Sequence, residues 1–77
     1  MSRLPDPPAI WPGRDGAPIS CQEKLKVLRE NHAEAAQVLA DALEDAVLMG
    51  VEEEAMRRIL VDLIARLPSP RRSRTDV

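Results

Sequence analysis

Apolar or small residues, with one histidine among them, recur along the middle of the chain in alternating steps of four and three. They are Cys21, Leu25, Leu28, His32, Ala35, Leu39, Ala42, Ala46 and Met49. A helix brings residues at this spacing to one side, so the pattern predicts an amphipathic helix with a coiled-coil-like seam. Because such a seam needs cover from other helices, we expect a protein–protein interaction module.

The predicted first helix has a signal at each end. Ser20 followed three residues later by Glu23 is typical of a capping box, in which each side chain bonds the backbone of the other residue. Gly50 follows the last seam residue, where a left-handed helix cap favours glycine. We therefore expect a long helix over about 21–49.

A second apolar stripe with helical spacing follows Gly50. It consists of Met56, Ile59, Leu60, Leu63, Ile64 and Leu67, and it stops before Pro68. The acidic run Glu52 to Glu54 suits the positive end of a helix dipole. These features predict a short helix over about 52–67, and the brief connection around Gly50 predicts an antiparallel helical hairpin. The expected fold class is all-α.

Proline marks both ends of the chain. Residues 1–19 contain five of the seven prolines and two of the three glycines, which predicts a flexible, extended arm. Residues 68–77 contain two prolines and Arg71, Arg72 and Arg74, which predicts a disordered basic tail. The helical hairpin is expected to occupy residues 20–67 between them.

The two predicted helices differ in length, so the short one cannot cover the whole seam of the long one. Leu25, Leu28 and His32 are left without cover from the second helix. Either the arm sets Ile10 and Trp11 on them, or another chain does. We expect the second arrangement, most simply a homodimer in which two hairpins form a four-helix bundle. The predicted partner-binding residues are Trp11, Leu25, Leu28 and His32.

Composition narrows the class of protein further. The 77 residues suffice for one small domain, and 44% of them are apolar although the chain has one Trp, no Phe and no Tyr. The net charge is −2, and residues 20–67 contain six basic and ten acidic groups, so nucleic-acid binding is not expected. No apolar run approaches the roughly 18 residues of a membrane span. We expect a cytoplasmic protein that does not act in a membrane.

Three residues invite a chemical role, and each has a plainer interpretation. Cys21 near a helix start could be a reactive thiol, or only the first small member of the seam. His32 could fix the register of an interface or respond to pH, or be a partly exposed interface residue. Trp11 could anchor a partner protein, or dock on the seam of its own chain.

Nothing in the sequence predicts catalysis. We find no glycine-rich phosphate loop, no nucleophile with a base at suitable spacing and no cluster with metal-ligand spacing, so we expect no enzyme, cofactor or metal. The expected function is that of a small adaptor or regulator that acts through a self-associating helical hairpin. The alternative is an obligate accessory subunit or assembly factor of a larger enzyme complex.

Overall fold

The structure, a computed structural model, describes residues 4–71 of the chain and contains two helices. Helix α1 spans Gln22–Leu48 and helix α2 spans Glu53–Ala65, and the two helices pack against each other. Residues 4–71 contain no β-strand. The predicted all-α class and pair of helices are thus confirmed, with α1 one residue shorter than expected at each end. Helix α2 begins one residue later and ends two residues earlier than the expected 52–67. Most of the predicted basic tail, from residue 72 onward, lies outside the described residues.

The chain divides into two compact units, the first ending at Ala42 and the second beginning at Leu43. The boundary lies within α1, which is one continuous helix. In the second unit Ala46 is 5% exposed, which makes it the most buried apolar residue of the described range. Its small side chain allows the backbone of a neighbouring helix to approach closely, because little volume separates the two.

Helix α1 begins one residue later than the sequence predicts. The Leu25 N–H donates to the Cys21 carbonyl at 2.9 Å, which makes Cys21 the N-cap. Within residues 4–71 no hydrogen bond joins Ser20 to Glu23. The predicted capping box is therefore wrong, and the helix start instead brings its free amide groups to a cysteine side chain.

Helix α1 ends in a Schellman motif, and the prediction of a left-handed glycine is confirmed. Gly50 has φ +104°, a conformation that strains any residue with a Cβ. The Gly50 N–H donates to Val47 O at 3.0 Å, and the Val51 N–H donates to Ala46 O at 2.9 Å. These two bonds satisfy carbonyls that the last turn of a helix would otherwise leave free.

Helix α2 begins with a side-chain cap. Glu52 accepts hydrogen bonds from the backbone N–H groups of Glu54, at 3.0 Å, and Ala55, at 2.9 Å. The sequence places Glu52 inside the first turn, whereas in the structure it precedes the helix as its N-cap. Its carboxylate satisfies two of the amide groups that a helix start leaves unpaired, so the short connection also starts the second helix.

The proline-rich arm reverses direction rather than running extended throughout. Pro12 and Pro18 form an isolated antiparallel bridge, and the Ile19 N–H donates to Trp11 O at 2.8 Å. Inside the turn, Gly13 lies so close to the Ala17 backbone that a Cβ added to Gly13 would lie 2.7 Å from Ala17 O. The turn therefore holds Trp11 and Ile19 side by side before the chain enters α1.

The protected face of α1 follows the predicted seam and is wider. The predicted seam residues Leu25, Leu28, His32, Leu39, Ala42 and Ala46 are all partly or fully buried, and they are joined by Ala36, Ala40 and Leu43. Cys21, Ala35 and Met49, which the seam pattern also includes, are exposed. An α-helix repeats every 3.6 residues, so a strict 3.5-residue pattern drifts around it by about 20° per heptad, which widens the protected face.

Candidate interaction surfaces

Trp11 contacts His32 within the first unit. The two rings meet edge to face, with centroids 6.2 Å apart and planes inclined by 82°, and both residues are partly buried. Trp11 Nε1 and His32 Nδ1 are buried atoms without a hydrogen-bond partner. Edge-to-face packing brings the positive rim of one ring to the electron-rich face of the other. The contact therefore attaches the arm to α1 through ring packing rather than through hydrogen bonds.

An open groove lies beside this contact, where the turn of the arm meets the first turns of α1. Trp11, Ile19, Val27 and Leu28 supply apolar surface, while Arg14 and Lys24 add two positive charges. Among residues 4–71 neither cation takes part in a salt bridge. An occupant that matched this groove would combine an apolar body with a negative charge.

Cys21 is exposed at the start of α1 and forms no disulfide. The backbone N–H groups of Lys24 and Glu23 lower the pKa of the thiol, and the Lys24 charge acts in the same direction. Helix amides stabilise a thiolate because they carry partial positive charge where the thiolate carries negative charge. Cys21 thus lies beside the amide groups of a helix start, as the sequence indicates. Whether Cys21 is a reactive thiol or only the first small member of the seam stays a prediction.

The large exposed apolar side chains of the second unit lie at the end of α1, on the connection and on the second apolar stripe. Leu48 and Met49 are each 78% exposed at the end of α1. On the α2 stripe the first members, Met56 and Leu60, are partly buried, whereas Leu63 and Leu67 are 52% and 61% exposed. Ile59 and Ile64 belong to the same stripe and are also more than half exposed. Of the six stripe residues only Met56 and Leu60 are thus partly covered.

The structure brings together three of the four predicted partner-binding residues, because Trp11 contacts His32 and lines the groove with Leu28. Leu25 lies one turn before Leu28 and is partly buried. The arrangement in which Trp11 docks on its own chain is the one the structure adopts. Partner binding by these four residues stays a prediction.

Two features escaped the sequence analysis. The turn of the arm has a recognisable signal, the Asp15-Gly16 dipeptide, in which Asp15 Oδ1 accepts from the Ala17 N–H at 3.1 Å. The exposed end of the α2 stripe has no comparable signal. Periodicity shows that Leu63 and Leu67 share a face, but burial depends on what packs against that face.

No protein-family model matches the chain, no curated protein is significantly similar to it, and no solved structure matches it. Across the described part of the chain, no three residues of the His, Cys, Asp or Glu types gather as metal ligands would. Neither α1 nor α2 is long and apolar enough to cross a membrane. The site is therefore interpreted from its own geometry.

Proposed function

We propose that this protein is a small, non-catalytic interaction module, an adaptor or regulator that acts through a self-associating helical hairpin. The supporting observation is how many of the large apolar side chains are left uncovered. Among the large apolar residues of the range 4–71 none is fully buried, while twelve are more than a third exposed. Apolar surface of this extent on a small protein marks an interaction site, because leaving it in water is unfavourable.

The size of the chain supports the same proposal. A single small core rarely stabilises a domain of fewer than about 80 residues without disulfides, a metal or self-association. The single cysteine forms no disulfide, and the described residues offer no metal cluster. Self-association would supply the missing burial by covering one apolar face with another.

Sedimentation velocity combined with circular dichroism tests the proposal on the full chain. We expect a compact dimer at micromolar concentration, a helical spectrum and a cooperative thermal transition. A compact monomer that persists to about 100 μM would contradict self-association, since the exposed apolar faces would then be tolerated in water.

The groove of the first unit favours the alternative, an obligate accessory subunit of a larger complex. Its apolar floor carries two cations without an ion-pair partner in the described range, which suits an acidic, amphipathic segment of another protein. In this case the purified chain would be a largely unfolded monomer that gains helix when its partner is added. A charge-neutral double variant, Arg14→Gln with Lys24→Gln, would then weaken partner capture without changing the sedimentation of the free chain.

A further inference from the structure

The arm begins with a proline segment, residues 5–8, that forms neither helix nor strand and has the sequence Pro-Asp-Pro-Pro. Each proline fixes its own φ at about −65°, and the residue before a proline is held to an extended ψ. Asp6 and Pro7 both precede a proline, and no peptide bond within residues 4–71 is cis. These constraints give the proline segment the backbone of a polyproline II helix, which has about three residues per turn.

The exposure of side chains along the proline segment repeats with the same period of three. Leu4 and Pro7 are partly buried. Pro5, Asp6 and Pro8 are exposed. Because residues three apart lie on one edge of a polyproline II helix, the edge with Leu4 and Pro7 is partly covered while the edge with Pro5 and Pro8 is open. The open edge presents two proline rings about 9 Å apart, one turn of this helix.

The proline segment is joined to a part of the arm that is held in place. Three residues after Pro8, the Trp11 ring packs against His32 of α1, and the Trp11 carbonyl accepts from the Ile19 N–H at 2.8 Å. A stiff segment with one fixed end loses little conformational freedom on binding, because its bound shape already exists. The open edge is therefore preorganised for recognition.

The chemistry of this edge specifies the partner. Proteins that recognise polyproline II segments do so with grooves lined by aromatic side chains. A second copy of this chain cannot supply such a groove, since the sequence contains one Trp, no Phe and no Tyr, and Trp11 is engaged with His32. The partner is thus a different protein.

The charge of Asp6 narrows the partner further. Its exposed carboxylate takes part in no salt bridge among residues 4–71. Complementary charge favours a groove that carries a basic side chain beside its aromatic rings, whereas an acidic side chain there would repel Asp6.

We propose that the exposed edge formed by Pro5 and Pro8 is a ligand for a proline-recognition domain of another protein, with an aromatic groove and a basic side chain next to Asp6. This inference goes beyond the proposed self-association and concerns a different surface, so either proposal can fail without the other. It gives the adaptor a site for a second protein.

Isothermal titration calorimetry tests the proposal on the full chain. The probes are purified SH3 and WW domains in two groups, with basic or with acidic side chains beside the aromatic groove. We expect at least one domain of the basic group to bind with a Kd below about 200 μM, and the acidic group to bind at least about tenfold more weakly. If no domain of either group binds more tightly than about 1 mM, the proposal is overturned.

The double variant Pro5→Ala with Pro8→Ala tests the edge itself. Its matched control is Pro68→Ala with Pro70→Ala, which also removes two exposed prolines but lies outside the arm. We expect the first variant to weaken binding at least about tenfold and the control to change it less than about twofold, because only the first removes the rings that enter the groove. Equal effects of the two variants would overturn the assignment to this edge.

Asp6→Lys tests the charge of the partner. We expect this variant to reverse the preference between the two groups of domains, since it replaces the carboxylate by a cation. An unchanged preference would overturn the proposed basic neighbour. Sedimentation velocity of the Pro5→Ala, Pro8→Ala variant should match that of the wild type, which separates loss of this ligand from loss of self-association.

Discussion

Trp11 carries the contact that attaches the arm to α1, and it does so with an unpaired indole N–H. Packing of the ring against His32 removes apolar surface from water, while the buried Nε1 atom loses its hydrogen bond to water. The contact is favourable only to the extent that the first effect exceeds the second. The two effects can be separated by substitution, because phenylalanine keeps the ring and removes the donor.

We expect Trp11→Ala to lower the free energy of unfolding by about 1–3 kcal/mol, less than for a fully buried tryptophan because Trp11 is only partly covered. Trp11→Phe should lose less, since it retains an aromatic ring and leaves no donor unpaired. Urea unfolding followed by circular dichroism measures both values. Ile10→Ala is the control, because Ile10 is 64% exposed and its truncation should change stability by under about 0.5 kcal/mol. Equal losses at residues 10 and 11 would contradict a specific role for the ring.

The Cys21 thiol should react faster than an ordinary thiol at neutral pH. The Lys24 and Glu23 amide groups lower its pKa, so more of the thiol is ionised in the folded chain than in the unfolded chain. We expect the rate of alkylation by iodoacetamide to rise with pH at a lower midpoint in buffer than in concentrated urea. Coincident profiles would show that the helix amides do not act on the sulfur.

The same pKa shift has a consequence for stability. An acid whose pKa is lower in the folded state binds fewer protons there, so it stabilises the fold above the unfolded-state pKa. That contribution disappears as the pH falls through the folded-state pKa. Cys21→Ser, which keeps a capping side chain, should remove this dependence on pH in the range where the thiol titrates.

At the scale of the element, the link between α1 and α2 is defined by backbone geometry. Gly50 closes α1 with a positive φ, and Glu52 caps the start of α2 only four residues after α1 ends at Leu48. Nothing lies within 4 Å of the position where a Cβ on Gly50 would be, so the glycine is required by conformation and not by space. A substitution there measures the backbone strain alone.

Gly50→Ala should lower the free energy of unfolding by about 1–2 kcal/mol, the cost of a left-handed conformation for an L-residue with a Cβ. Gly50→Asn should fall between the wild type and the alanine variant, because asparagine tolerates that conformation better. Thermal and urea unfolding rank the three chains. If alanine were as stable as glycine, the turn would have to adopt a different backbone conformation in solution.

The two helices also show where the apolar spacing of the sequence and the burial in the structure disagree. The four-three spacing correctly identifies most of the protected face of α1, because that face depends on helix geometry, which the spacing encodes directly. It fails at Met49, which is 78% exposed, because the helix has ended by that point. It also does not show that the α2 stripe is covered only over Met56 and Leu60.

For the whole molecule, stability and association are expected to be coupled. When folding and dimerisation occur together, mass action shifts the transition as the chain concentration changes. We expect the melting temperature to rise by several degrees when the chain concentration increases a hundredfold. A wild-type melting temperature that does not move would indicate that the described hairpin is stable without a second copy.

The sequence by itself determined the two helices of this protein and placed their ends to within two residues. Apolar spacing, Gly50 and the acidic start of α2 act locally, through helix geometry and backbone conformation, so they can be recognised without knowing the rest of the molecule. Only the tertiary structure decided which apolar residues are covered. The turn of the arm brings Trp11 to His32 and partly protects the start of α1, while Leu63 and Leu67 stay exposed. Burial is a property of two surfaces in contact, and a periodic pattern describes only one of them.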